Sequence, residues 1–458
     1  MFKLSKITFA LVMSSALISC ANIDDSYQAA QQDFQQYEEL TQQYNIQENW
    51  WTLYNDAQLN QVVTQALANN KDLAKAAIAV NTALYNANLV GANLVPNFTN
   101  QTGVNASAVK NINEGGNSRI THGGSLNISY TLDLWRRLAD QASAAEWTHS
   151  ATQQDLQATK LSLINSVVTT YYQLAYLNDA IEVTNQTINY YMQINRIMQN
   201  KFQQGIADRA SSDQAQQAVL RARNNLINYQ TQKKVAETTL RNLLNLKPNE
   251  DLKIKTPSIL GVKSAEVNLN VPLSTIANRP DIKGAQYRLN SAFKNAKSMQ
   301  KSWFPSITIG AGLSSSGNKI DNAFNVPMAA GTVAINLPFL NWNTVKWNVK
   351  ISEAAYENAR LNFEQSITKA LNEIDSRYFS YGQAKENFAN LQETYNYNKR
   401  ITQYYKNRYD AGIAELREWL NAANTEKSSQ LSILNAKYSL IQSQNAIYSA
   451  MGGYYSAK

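Results

Sequence analysis

A chain of 458 residues is long enough for about three ordinary domains. Its apolar fraction is 44% and its charged fraction 17%, and the remainder is heavy in Asn, Gln, Ser and Thr, which suits long wetted helical surfaces better than a compact globule. The formal net charge of +8 is a mild excess without a basic stripe, which argues against a nucleic-acid partner, and the single cysteine excludes an internal disulfide.

Lys3 and Lys6 make a basic start, Ile7 to Leu17 is apolar, and Leu17-Ile18-Ser19-Cys20 resembles a bacterial lipobox. Residues 1–19 are therefore expected to be a lipoprotein signal peptide, with Cys20 the lipidated first residue of the mature chain. The apolar run is too short to cross a hydrocarbon layer of about 30 Å. Acyl chains on Cys20 would anchor the protein without spanning the membrane. Ala21 stands where lipoproteins held at the inner membrane tend to have Asp, which points to the outer membrane of a Gram-negative cell. Loss of the leader leaves a net charge of +6. Residues 20–48, rich in Gln and Asp, read as a tether with little to add to a core.

The rest of the chain is written twice. Lys201-Phe202-Gln203-Gln204-Gly205-Ile206-Ala207 returns 207 positions later as Arg408-Tyr409-Asp410-Ala411-Gly412-Ile413-Ala414, and Trp135 and Tyr171 return as Trp342 and Tyr378. So long a period is a duplicated half-protein rather than a solenoid repeat. The halves are placed at 49–257 and 258–458. Each is expected to hold a helix, two short strands, a very long helix, a sharp turn and a second long helix. Arg136 to Gln204 has neither Gly nor Pro, and a helix of that length spans about 100 Å. Val167, Leu174, Ile181 and Ile188 recur every seven residues, as do Ile367, Ile374, Tyr381, Phe388 and Tyr395, the spacing of a coiled-coil seam. Gly205 and Gly412 stand where each hairpin must reverse.

Four stretches alternate with period two, at about 97–109, 124–134, 305–314 and 330–340. Polar loops, Lys110 to Gly124 and Ser314 to Pro327, join them in pairs. Each has about the length of a tilted transmembrane strand. No mature segment has the ~20 apolar residues of a transmembrane helix, and a bilayer otherwise accepts only closed barrels. Four strands cannot close one. Two chains would supply about eight strands, a number that side chains fill, so a conducting duct favours three chains and about twelve strands. The competing expectation is a small soluble β-domain on a coiled-coil shaft.

Trp50-Trp51-Thr52-Leu53-Tyr54-Asn55-Asp56-Ala57-Gln58-Leu59, Arg279-Pro280-Asp281-Ile282 with Ala285 and Leu289, Trp303-Phe304-Pro305-Ser306-Ile307, and Arg408-Tyr409 through Gly412 to Leu420 occur in the order found in TolC-like outer membrane efflux proteins. Across nearly the whole mature chain the sequence resembles that family, in its NodT-type lipoprotein branch. The resemblance implies a mainly α fold with a membrane β-barrel: a homotrimer with a twelve-stranded barrel in the outer membrane and a long helical tunnel in the periplasm. It also implies a periplasmic adaptor at the helix tips, and through it an inner-membrane pump of the RND or ABC type. The implied function is an exit duct without enzymatic activity or cofactor.

Carried over position by position, the resemblance puts Tyr409 at a gate tyrosine and Glu418 at an acidic position facing the lumen. Two positions depart from the family: Asn421 replaces a second acid and Ala414 a gate arginine. Arg417 or Arg209 could substitute for that arginine, and Asp208 and Asp213 are the acids of the first tip. Three copies of an acid around a narrow pore would favour cations. The turns Gly205, Ile206, Ala207 and Gly412, Ile413, Ala414 are the expected adaptor contacts. The tips differ just past the turns, Asp208-Arg209-Ala210 against Glu415-Leu416-Arg417. His122, expected in an external loop, and His149, on a long helix, are too far apart for a metal site. The other functional class left open is a coiled-coil surface lipoprotein or adhesin without channel activity.

Overall fold

A computed structural model of the chain describes residues 20–111, 115–263 and 266–457. The expected signal peptide, 1–19, lies outside them. In chain order the principal elements are α1 (Cys20–Thr41), β1 (Tyr44–Gln47), α2 (Ala57–Asn69), α3 (Lys71–Gly91), β2 (Asn97–Asn111), β3 (Gly115–Leu132), α4 (Arg137–Gln203) and α5 (Arg209–Leu244). The second half adds α6 (Pro280–Gln300), β4 (Ser306–Gly317), β5 (Met328–Asn336), α7 (Trp342–Asp410), α8 (Leu416–Met451) and β6 (Tyr454–Ala457). The chain forms two compact units that cut across the sequence repeat. Among the described residues, one holds those of 20–35, 77–155 and 281–366, the other those of 36–76, 156–280 and 367–457.

The first unit carries a four-stranded antiparallel sheet in the order β2-β3-β4-β5. Residues directly opposite each other share a face. The register therefore builds one apolar face from the rows Phe98–Ile128–Ala311, Leu126–Leu313, Tyr130–Ile309–Val333 and Leu132–Ile307–Ile335. The other face carries Asn97, Ser129, Gly310 and Thr332 in one row and Thr131 beside Thr308 in another, with those two hydroxyls 3.0 Å apart. Leu126, Leu313, Ile335 and Val333 are all more than half exposed. No helix among the described residues is long and apolar enough to cross a membrane.

Three expectations need correction. The segment 20–48 is no loose tether, because α1 is a docked helix. Tyr27 stacks on Phe293 with ring centroids 3.9 Å apart, and buried Phe34 meets Phe363 edge-on. Lys297 Nζ donates to Asp24 Oδ2 at 2.8 Å. The strands also run further into the expected loops: β3 starts at Gly115 rather than at 124, and β4 ends at Gly317. Paired backbone satisfies its own hydrogen bonds, so polar residues such as Asn117 and Ser118 extend the hairpin without needing an apolar face. His122 accordingly lies in strand β3, opposite Val104. Lastly, β5 ends at Asn336 and a 3-10 turn, Pro338–Asn341, replaces the end of the expected fourth strand, as a proline without an N–H dictates.

The second unit is helical, closed by the small β1-β6 sheet. Its core packs Trp50, Tyr54, Val167, Tyr171, Tyr172 and Leu240. A buried polar node crosses it. The Trp50 indole donates to Asn445 Oδ1 at 2.8 Å, and Asn445 Nδ2 donates to the Asn165 carbonyl, Asn165 Oδ1 and Thr169 Oγ1 at 2.7–3.0 Å. The Arg279 of the Arg-Pro-Asp-Ile stretch is also structural. Its guanidinium donates to the Ala450 carbonyl at 2.7 Å and to Glu373 Oε2 at 2.9 Å. It thereby satisfies one of the terminal carbonyls of α8 that lack a partner within the helix.

Candidate functional site at the helix tips

The site is built on the two reversals of the second unit, between α4 and α5 and between α7 and α8. Both close in the same way. The Ile206 and Ala207 amides donate to the Lys201 carbonyl at 2.8 and 3.2 Å, and the Ile413 and Ala414 amides to the Arg408 carbonyl at 2.9 and 3.3 Å. Gly205 and Gly412 adopt φ of 71° and 73°, the left-handed conformation this C-terminal cap requires. Ile206 and Ile413 project outward, 69% and 67% exposed. Gly205 and Gly412 are exposed, while Ala207 and Ala414 are half-buried.

Past the turns the tips diverge. In the first, Asp208 Oδ1 accepts from the Ser211 amide at 2.7 Å and caps α5. That hydrogen bonding holds its carboxyl below the usual range. Arg209 lies 3.8 Å from Asp213, both side chains mostly in water. In the second, Glu418 Oε2 accepts from the Glu415 amide at 3.2 Å, a cap of reversed direction. Arg417 lies 3.5 Å from Glu415, again exposed. Neither arginine reaches the other hairpin through these pairs. Asp208 and Glu418 are thus both helix-capping groups and exposed acids, so their capping role accompanies any role in a pore.

The two hairpins meet in an apolar cluster of Ile188, Tyr191, Ile194 and Met198 from α4, Ala215, Ala218, Val219 and Ala222 from α5, and Leu416, Trp419, Leu420 and Ala423 from α8. Tyr409 packs on its edge, with its ring stacked on Trp419 at 5.1 Å, and Tyr190 meets Trp419 edge-on at 6.1 Å. Burial pushes the Tyr190 phenol up to about 12 and raises the Tyr191 phenol as well. Tyr191 Oη donates to Asn424 Oδ1 at 2.6 Å, tying α4 to α8. Lys201 Nζ donates to Tyr409 Oη at 2.7 Å and sits 4.7 Å from that ring's centroid.

Of the gate and adaptor candidates singled out in the sequence, only Tyr409 enters this cross-hairpin packing, joined by Ile188 of the predicted seam. Lys201, Tyr190 and Trp419 were missed. Trp419 did leave a signal. Leu416, Trp419 and Leu420 follow helical spacing, whereas the positions 207 earlier hold Arg209, Ser212 and Asp213.

The outer membrane efflux protein family profile matches residues 62–246 and 271–453. The chain is 66% identical over 458 residues to toxin and drug export protein A of Aggregatibacter actinomycetemcomitans, covering the full length of both. Among solved structures, the CmeC outer membrane channel of Campylobacter jejuni superposes with a TM-score of 0.81 at 24% identity over 90% of each chain. VceC of Vibrio cholerae gives 0.81 at 20% identity over 90% of this chain and 100% of its own. A two-faced sheet, two helical hairpins each led by a helix of 67 or 69 residues and both halves of the family profile agree: the chain belongs to the outer membrane efflux protein family.

Proposed function

We propose that three copies of this chain form the outer-membrane exit duct of a tripartite export system. The observation that carries the reading is the sheet. It has one exposed apolar face and one polar face, and its outer strands β2 and β5 are each paired on one side only. In the order β2-β3-β4-β5 with every pair antiparallel, β2 and β5 run in opposite directions. The β5 edge of one copy can therefore continue antiparallel onto the β2 edge of the next, and a rotation that closes leaves no edge in the hydrocarbon. The apolar face then meets lipid and the polar face lines a duct.

Cys20, the first residue of α1, carries the lipid anchor in the periplasmic leaflet. The long helices extend into the periplasm. A periplasmic adaptor contacts the turns at Gly205, Ile206, Ala207 and Gly412, Ile413, Ala414, whose isoleucines are exposed. The adaptor links the duct to an RND or ABC pump at the inner membrane, which supplies the energy. Tyr409, with the acids Asp208, Asp213 and Glu418 and the arginines Arg209 and Arg417, lies at the gate. The cargo class is that of toxic compounds and drugs, as the name of the Aggregatibacter relative suggests.

The test is a deletion strain complemented in trans. Loss of the gene sensitises cells to toxic compounds and raises dye accumulation. The wild-type gene restores resistance, and a copy with Val333→Arg on the lipid-side face does not, since a central Arg there costs about 2–4 kcal/mol. Full resistance in the deletion strain, with a monomeric delipidated protein, would favour a surface lipoprotein or adhesin instead.

A further inference from the structure

We propose that Lys201 is the cation that fastens the first helical tip to the second, and that it connects the exposed turn at Ile206 to the Tyr409–Trp419 pair. The inference rests on the gate reading above and names a residue that reading lacks.

Two parts of one residue do different work. The Lys201 carbonyl closes the first turn by accepting from the Ile206 and Ala207 amides. Its ammonium reaches the other hairpin, donating to Tyr409 Oη at 2.7 Å and lying 4.7 Å from the ring centroid. Tyr409 in turn stacks on Trp419, which is 5% exposed and packed among residues of α4 and α5. A chain of contacts therefore runs from the backbone of the turn at exposed Ile206 to the aromatic core of the second tip. A charge-assisted bond onto a half-buried phenol is stronger than a neutral one, and a cation near a ring adds to it.

The repeat supplies an internal control. Arg408 occupies the position equivalent to Lys201, and its carbonyl closes the second turn in the same manner. Its side chain nevertheless stays on its own helix, donating to Tyr404 Oη at 3.0 Å with the guanidinium 5.6 Å from that ring. The same backbone motif thus carries a side chain that crosses between hairpins at one tip and one that folds back at the other. Arg209 and Arg417 pair within their own hairpins, with Asp213 and Glu415. A partner pressing on Ile206 strains the turn whose acceptor is Lys201 and withdraws the ammonium from Tyr409.

The experiment compares single-channel open fraction in planar bilayers for the full-length assembled protein and for Lys201→Gln, Lys201→Arg, Tyr409→Phe and Trp419→Ala. Lys201→Gln is expected to raise the open fraction roughly tenfold, the scale of one lost charge-assisted bond. Lys201→Arg keeps the donor and the charge and should behave as wild type. The double variant Lys201→Gln/Tyr409→Phe should exceed neither single by more than about twofold, because both remove one contact. A Lys201→Gln channel with wild-type gating beside a Trp419→Ala channel that opens more readily would overturn the assignment of Lys201 and leave the gate reading standing. Unchanged gating in both would remove the gate reading together with it.

Discussion

The two helix tips share a turn and differ beyond it. Gly205 and Gly412 have the same left-handed backbone, and both turns close on the carbonyl of the residue four before the glycine. Past the turn, the second tip buries Leu416, Trp419 and Leu420, while the first has exposed Arg209 and Asp213 and half-buried Ser212 at the equivalent positions. Duplication preserved the reversal, which backbone geometry dictates. The face presented to the neighbouring hairpin was free to diverge. Both hairpins give apolar side chains to the joint, but only the second does so in its first turn past the reversal, where the first has a wetted surface and contributes Lys201 from before the turn.

The largest effect expected from this difference is at Trp419. Trp419→Ala removes a ring packed between hairpins and should lower the local opening free energy at the start of α8 by about 3–5 kcal/mol, measured by hydrogen exchange. Ser212→Ala at the equivalent position of the first tip should change protection by less than about 0.5 kcal/mol. Comparable losses at both would erase the distinction between the tips.

The turns, by contrast, should respond alike. A Cβ at Gly205 or Gly412 would meet no neighbouring atom within 4 Å, so only the left-handed backbone opposes it. Gly205→Ala and Gly412→Ala should each cost about 1–2 kcal/mol, read from exchange of the turn amides. Gly382→Ala, within α7 and equally open, is the control and should stabilise by up to about 1 kcal/mol. Unequal costs at the two turns would show that packing enters even there.

A smaller effect separates the caps by pH. The folded carboxyl of Asp208 titrates below its ordinary value of 3.8, because it accepts from Ser211. Its stabilisation is therefore complete above that value and is lost as pH falls through the lower, folded one. Exchange of the Ser211 amide, corrected for intrinsic rate, should accelerate on acidification below about pH 4 in wild type. In Asp208→Asn, which retains an accepting oxygen, it should not. The smallest effects are expected at Arg209→Ala and Arg417→Ala, whose exposed pairs are worth within about 0.5 kcal/mol in thermal stability.

Much of this fold is legible in the sequence. Runs without Pro and with at most one Gly mark the long helices, period two marks the strands, and the repeat shows that each half holds the same parts. The segment 20–48 misleads because its Gln-rich composition masks a helical stripe, Ile23, Tyr27, Ala30 and Phe34, that docks on α6 and α7. The strand extension across 115–123 escapes notice because paired backbone needs no apolar alternation. At the tips the turns are plain from glycine spacing. Lys201–Tyr409 is not, since the partners lie 208 residues apart and no local pattern chooses between Lys201 and the nearer Arg209. Trp419 could have been found by asking where the second copy is apolar and the first is not.

The central claim is that copies of the β2-β3-β4-β5 sheet close around a polar lumen. It is tested most directly by single-channel recording of the purified, acylated full-length protein in planar bilayers. Discrete conductance steps are expected to appear with the trimeric fraction and to vanish with Val333→Arg. Stable trimers that bind the bilayer yet give no conductance under any voltage or salt would contradict closure around a lumen.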